Sequence, residues 1–197
     1  MSLGTTLARI SEIETSLAPP REARNNPASA SGSRFAQILG QTALGEATPV
    51  GPGALGAVAV ARGEIGQAEQ PPGSNDSARI AQYRGAVAGA GVGPWCAYFA
   101  SWAARQGGVP LGENGEGFGS VDALYEWAQS SGRAIPAGEG VAPAPGDLIV
   151  WDEHVGIVES VLPDGSIRTI EGNSSDRVSQ RTYGPDGGGA IGYVRLG

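Results

Sequence analysis

The stretch GPWCAYFASW, residues 93–102, contains the only cysteine of the chain and decides how the rest of the sequence is interpreted. Phe99 and Trp102 share one face of a helical pattern, so Cys96 lies at the predicted start of a helix. The unpaired N–H groups and the helix dipole at such a start favour an anion, including a reactive thiolate or a substrate oxyanion. Position alone leaves two interpretations of Cys96, a nucleophile or a small buried residue.

The only histidine of the chain supplies a candidate base for this thiol. His154 begins a predicted strand in DEHVGIVES, residues 152–160. Gly156 falls on the same predicted face as His154 and leaves open space beside the imidazole. A lone histidine at a strand start is commonly structural, but a Cys–His pair needs one residue of each type, and this chain has one of each.

A base histidine needs a third group that fixes its tautomer and orientation. The next predicted strand offers Glu171 and Asn173 at its end, in TIEGNSS, residues 169–175. A hairpin turn at LPDG joins the two strands, so antiparallel pairing brings this end beside the start of the His154 strand. Either side chain is expected to reach His154; the alternatives are a solvated strand end for Glu171 and a turn former for Asn173.

The pattern of elements predicts a short extension followed by one domain. Residues 1–54 contain a short amphipathic helix within sequence rich in Gly and Pro, and we predict a flexible extension there. Residues 55–197 change from helical to period-two patterns, which predicts an α+β domain with N-terminal helices packed on a C-terminal antiparallel sheet of five to six strands. The predicted helices are 55–69, from about 77, from 94, and 120–131, and the predicted strands are 146–152, 154–161, 166–172, 177–184 and 190–196.

Composition argues against several other classes of protein. The net charge is -7 and the domain has no basic stripe, so a nucleic-acid partner is not expected. No apolar stretch is long enough for a predicted membrane span. One Cys and one His exclude a zinc site of ordinary composition, and the acidic residues lack EF-hand spacing. We therefore predict no metal and no cofactor.

Three blocks resemble the CHAP family, the cysteine- and histidine-dependent amidohydrolases/peptidases within the papain-like clan of peptidoglycan hydrolases. The blocks are PWCAYFASW (94–102), PGDLIVWDEHVGIVES (145–160) and IEGNSS (170–175), in that order. With the upstream piece EIGQAEQPPGSNDSARIAQY, the resemblance covers about residues 62–196. It implies a papain-like fold and a bacterial enzyme that cleaves an amide bond.

The resemblance also implies a role for each site residue. Cys96 would be the nucleophile and its backbone N–H part of the oxyanion hole, His154 the general base and later acid, and Glu171 the orienting third residue. Asn173 would be a further polar partner. Some members of the family bind Ca²⁺ through an acidic loop before the cysteine, and we find no such loop here.

Four further residues are candidates for the substrate groove. Trp95 and Trp151 flank the site residues and are candidates to line the groove, although core packing is the role favoured for each. Asn75 and Asp76 are weaker candidates for the border of the cleft.

The expected substrate is a peptidoglycan stem peptide, cleaved by an amidase or an endopeptidase. A transferase that uses the same acyl-enzyme is not distinguished by sequence. The alternative from another class is a non-catalytic CHAP-like module that binds wall peptides or a flagellar or phage assembly partner. Such a partner would bind through residues 1–54. The first residues lack the apolar region of a secretory signal, so we expect a non-classical export route to the cell envelope or the extracellular space.

Overall fold

The computed structural model describes residues 50–197, and the amphipathic helix predicted in the extension lies outside them. The helices of the described residues are α1 (Pro52–Gly63), α2 (Ala78–Arg84), α3 (Cys96–Gln106) and α4 (Val121–Ser130). The strands are β1 (Ala134–Pro136), β2 (Leu148–Val150), β3 (Val155–Val161), β4 (Ile167–Glu171), β5 (Ser179–Tyr183) and β6 (Gly192–Val194). Within residues 50–197, no helix has the length and apolar character needed to cross a bilayer.

The predicted α+β class is confirmed, and its sheet differs from a simple meander in one respect. The strand order among the described residues is β1-β6-β2-β3-β4-β5, and all neighbours are antiparallel. Strands β2 to β5 follow one another along the chain, with the predicted hairpin turn closed by a bond from Leu162 N to Ser166 O of 2.8 Å. Strand β6 lies between β1 and β2 rather than beside β5. Strand β1 has only three residues and was not predicted from the sequence.

Helix α1 is displaced from its predicted position. It begins at Pro52 and ends at Gly63, whereas the sequence predicted a helix over 55–69. Gly66 has a φ of 94°, which a helix does not allow, and its N–H donates to Val178 O over 2.9 Å. The segment after α1 therefore pairs with the chain beyond β4 instead of continuing the helix.

Capping side chains mark the starts of two helices. Ser120, the first residue of the helix predicted over 120–131, accepts a hydrogen bond from Ala123 N at the start of α4. Ser77 accepts one from Ile80 N at the start of α2. Each hydroxyl satisfies one backbone donor that the helix itself leaves unpaired.

The sheet buries apolar side chains on both faces. Val155, Ile157 and Ile170 belong to the large cluster that the helices complete, and α3 contributes Phe99 to it. On the other face lies a smaller cluster that contains Ile149, Val158, Ile167 and Tyr193.

Helix α3 lies close against the end of β4. A Cβ added at Gly172 would come within 2.5 Å of Phe99 Cβ, so a glycine is needed for the helix to approach this closely. Phe99 also packs edge-on against Tyr83, with 5.2 Å between the ring centroids. This packing brings the start of α3 to the end of the sheet where His154 and Glu171 lie.

Phe99→Ala is expected to lower the free energy of unfolding by about 3–5 kcal/mol, because it leaves a cavity between α3 and β4. The measurement is urea denaturation followed by circular dichroism. The control is Leu55→Ala on α1, whose side chain is 50% exposed and whose loss is expected to cost far less. Equal losses in the two variants would contradict this account of the packing.

Candidate active site

Cys96 is the first residue of α3, as predicted. The first hydrogen bond of the helix runs from Phe99 N to Trp95 O over 2.9 Å, so the N–H groups of Cys96, Ala97 and Tyr98 have no intrahelical acceptor. Cys96 is 5% exposed and lines a cavity, so its thiol is largely desolvated yet accessible from one side. The position supplies both a nucleophilic atom and N–H donors for an oxyanion.

His154 lies directly before β3 and contacts Glu171, the last residue of β4. His154 Nε2 and Glu171 Oε2 are 3.0 Å apart. The Glu171 side chain is 1% exposed, whereas that of His154 is 29% exposed. Because Nε2 is occupied by the carboxylate, Nδ1 is the ring nitrogen left for the thiol.

The charges of the three groups are interdependent. Burial lowers the pKa of His154, but hydrogen bonds to Cys96 and to Glu171 outweigh burial and raise that pKa to about 9. Burial raises the pKa of Glu171, but hydrogen bonds from His154 and then from Thr169 outweigh it and keep that pKa below its usual value. The arrangement therefore favours a protonated imidazole between two acidic groups.

Two side chains that the sequence analysis missed hold the Glu171 carboxylate. Thr169, two residues earlier on the same face of β4, donates its hydroxyl to Glu171 Oε1. Tyr183 on β5 also bonds to Glu171 and lowers the pKa of this carboxyl. Burial and then the charge of Glu171 raise the pKa of Tyr183 to about 12, so this phenol stays a donor. The alternation of side chains along β4 could have predicted that Thr169 shares a face with Glu171. The approach of Tyr183 to Glu171 depends on the register between β4 and β5, which the sequence does not show.

Gly156 leaves room for a site residue, as predicted, but that residue is Glu171 rather than His154. The space beside it is filled by Glu171, because a Cβ at Gly156 would lie 2.7 Å from Glu171 Cγ. The glycine thus allows the carboxylate side chain to lie against β3 and reach the imidazole.

Asn173 does not share the role of Glu171. Strand β4 ends at Glu171, and Asn173 has a φ of 57°, so its side chain leaves the alternation that the prediction assumed. Its amide fits its neighbours in one orientation, in which the oxygen accepts from Trp95 N at 3.2 Å and the nitrogen donates to Glu69 Oε1 at 3.3 Å. Asn173 therefore contacts the segment before Cys96 rather than His154.

Three of the four candidates for the substrate groove, Trp95, Asn75 and Asp76, do not line the cavity beside Cys96. Trp95 cannot line a groove, because it is fully buried and its indole N–H donates to Glu69 Oε1 over 2.9 Å. Asn75 donates its backbone N–H to Glu69 Oε2, and Asp76 accepts from Arg84. Neither residue lines the cavity beside Cys96. The polar side chains of Asn75 and Asp76 favoured a place at the rim of the cleft. Instead, the bond from Asn75 N to the buried Glu69 carboxylate holds this loop against the domain.

Trp151 is half-buried and stands beside the histidine. Its ring centroid is 5.6 Å from that of His154 and 5.0 Å from that of Tyr183. The indole N–H donates to Gly187 O over 2.9 Å, and the backbone N–H donates to His154 O. Trp151 therefore shields the imidazole and fixes the turn that carries it.

A cavity of about 380 Å³ opens beside the thiol. Cys96 and Tyr98 line it from α3, Asp122 from α4, and Asp152 and Glu153 from the turn before His154. The cavity gives a peptide-sized group access to Cys96 past a rim that contains three carboxylates.

A larger cavity of about 610 Å³ lies beside the smaller apolar cluster and is lined by residues that include Val141, Ile167 and Tyr193. Neither Cys96 nor His154 lines this cavity, so it is not the candidate active site. No group of three metal-ligating side chains occurs within residues 50–197.

The comparison with protein families identifies the domain. The family model of the CHAP domain matches residues 88–173, which contain Cys96, His154 and Glu171. The resemblance to the CHAP family seen in the sequence is therefore confirmed over these residues. Such a domain indicates a hydrolase of the peptidoglycan amidase or peptidase type. No curated protein and no solved structure gives a significant match to the chain.

The titration of His154 tests the geometry directly, since NMR of the only histidine needs no assignment. We expect a pKa of about 9, against an ordinary value of 6.5. Cys96→Ala and Glu171→Gln should each lower it, because each removes a group that stabilises the imidazolium. Since the folded value is the higher one, the stabilisation is present below about pH 6.5 and is lost as the pH rises through 9. Glu159→Gln, at a buried carboxylate elsewhere on β3, should change nothing.

Gly156→Ala is expected to push the Glu171 side chain away from His154, because the added methyl group has no room. The expected result is a lower pKa of His154 with the fold retained. Gly63→Ala at the end of α1 is the control, since a Cβ there meets nothing within 4 Å. An unchanged titration in Gly156→Ala would refute this role of Gly156.

Proposed function

We propose that the protein hydrolyses an amide bond in or next to a peptidoglycan stem peptide through a thioester formed on Cys96. The observation that carries the proposal is the bond between His154 Nε2 and Glu171 Oε2, together with the position of Cys96 at the start of α3, where its thiol helps to raise the pKa of His154. Thiol hydrolases need this order of nucleophile, base and orienting group. The CHAP match supports the substrate class.

In the first half of the reaction, the Cys96 thiolate attacks the amide carbonyl carbon and a C–S bond forms. The N–H groups at the start of α3 donate to the resulting oxyanion. The His154 imidazolium then gives its proton to the amide nitrogen, the C–N bond breaks, and the amine leaves. Glu171 stabilises the imidazolium before this transfer and holds the ring in one orientation.

In the second half, water replaces the amine in the site. His154, now neutral, takes a proton from the water as the oxygen attacks the thioester carbon. The C–S bond breaks, the acid product leaves, and the thiolate and imidazolium are restored. Because peptidoglycan belongs to the cell envelope, the proposed substrate implies that the protein acts there.

The cysteine variant tests the proposal. Cys96→Ala should lower the rate of release of soluble fragments from purified peptidoglycan by at least about 10³-fold, because it removes the nucleophile. Leu55→Ala should retain activity, since that side chain is exposed on α1. A Cys96→Ala variant as active as the wild type would exclude the thioester mechanism.

Mass spectrometry of the fragments distinguishes the remaining alternatives. Intact glycan strands with freed N-terminal alanine would indicate an amidase, and cleaved stems or cross-bridges an endopeptidase. New amide links to an added amine would indicate transfer. Sedimentation with peptidoglycan without any cleavage would support the non-catalytic binding module instead.

A further inference from the structure

Glu69 is a buried carboxylate that the proposed reaction does not use. It is 3% exposed and lies in the loop between α1 and α2. Its Oε1 accepts from Trp95 Nε1 at 2.9 Å and from the Asn173 amide at 3.3 Å, and its Oε2 accepts from Asn75 N at 2.8 Å. Among the ion pairs of residues 50–197, none includes Glu69. Neutral N–H donors alone therefore hold this carboxylate.

These bonds act on the residue that precedes the nucleophile. Trp95 is the N-cap of α3 and makes no side-chain capping bond, with φ -122° and ψ 16° rather than the extended backbone usual at this position. Its indole is tied to Glu69, and its backbone N–H is tied to the Asn173 oxygen. External acceptors thus fix the direction in which α3 begins.

The same bonds act on the segment that follows the third residue of the site. Asn173 comes two residues after Glu171 and sits in a turn with φ 57°. Glu69 therefore links the start of α3 to the end of β4. The start of α3 carries the Cys96 thiol, and the end of β4 carries the Glu171 carboxylate that bonds to His154.

We propose that Glu69 is a positioning residue that sets the distance between the Cys96 thiol and the His154 imidazole by clamping Trp95 to Asn173. The inference rests on the proposed function, because it assigns Glu69 to the same thiol–imidazole pair. An ionised carboxylate is suited to the task since it only accepts hydrogen bonds, and three donors converge on it. A glutamine presents an NH₂ group to one of these donors, so at least one bond is lost without a change in size.

The matched test compares Glu69→Gln with Glu159→Gln. Both replace a buried carboxylate, but Glu159 bonds to Arg62 and Gln180 and not to the site. The first readout is the rate at which iodoacetamide alkylates Cys96, which is unambiguous because the chain has one cysteine. The second is kcat and KM on peptidoglycan fragments.

We expect Glu69→Gln to slow alkylation at pH 7 by about tenfold or more and to lower kcat by about 10²-fold, with KM nearly unchanged, since a misplacement of about 1 Å is enough for losses of this size. Glu159→Gln should lower the melting temperature while both rates stay within about twofold of wild type. If Glu69→Gln lowers only the melting temperature, the residue is merely structural and the proposal is overturned.

Trp95→Phe provides a second variant, because it removes a single donor to Glu69 and keeps an aromatic ring in the core. It should slow alkylation in the same direction, and Glu69→Gln should have a smaller effect in the Trp95→Phe background than alone. Fully additive effects would overturn the clamp. Alkylation does not require substrate, so a wild-type protein that fails to cleave peptidoglycan would refute the proposed function while the clamp is still judged on the alkylation rates.

Discussion

The bond between His154 Nε2 and Glu171 Oε2 is the interaction on which the rest of the site depends. A carboxylate that is 1% exposed costs free energy unless donors surround it, and Thr169, Tyr183 and the imidazole provide them. A charged imidazole is the strongest of these donors when protonated. The bond therefore lowers the pKa of the Glu171 carboxyl and raises the pKa of His154 at the same time, so the charge of each group depends on the other.

Two buried glutamates, Glu171 and Glu69, hold different parts of the site in place. Glu171 orders the sheet side, and among the described residues its ion pair is with His154. Glu69 orders the helix side through neutral donors from Trp95, Asn75 and Asn173. The two meet at the turn that follows β4, because Glu171 and Asn173 are two residues apart. The thiol and the imidazole thus belong to separate elements whose relative position is fixed from both sides.

Much of the architecture was predictable because the spacing of apolar residues changes from helical to alternating where the chain passes from the helices to the sheet. Helix α4 with its Ser120 cap, the hairpin turn after β3 and the pairing of His154 with Glu171 all follow from local patterns. The end of α1 was not predictable, because the break at Gly66 is imposed by bonds to residues more than a hundred positions away. Contacts of this range leave no local pattern.

The contact of Asn173 with His154 that the sequence offered is not made, for a related reason. The prediction extended β4 by period two, but the backbone of Asn173 turns into the left-handed region and directs its amide to the helix side. Trp95 packs in the core, as the sequence favoured, but the buried acceptor of its indole N–H lies 26 positions away and was not foreseen. A single sequence shows neither the turn nor the acceptor.

The order β1-β6-β2 has a consequence for biosynthesis. Strand β6 inserts between two strands that precede it in the chain, and it pairs with both. While a ribosome is still making residues 192–194, β1 and β2 have no neighbour on their facing edges, and the sheet cannot close. The nascent chain therefore has to keep the backbone N–H and C=O groups on these two strand edges unpaired until late in synthesis, and formation of the native sheet waits for the strand that is made last of the six.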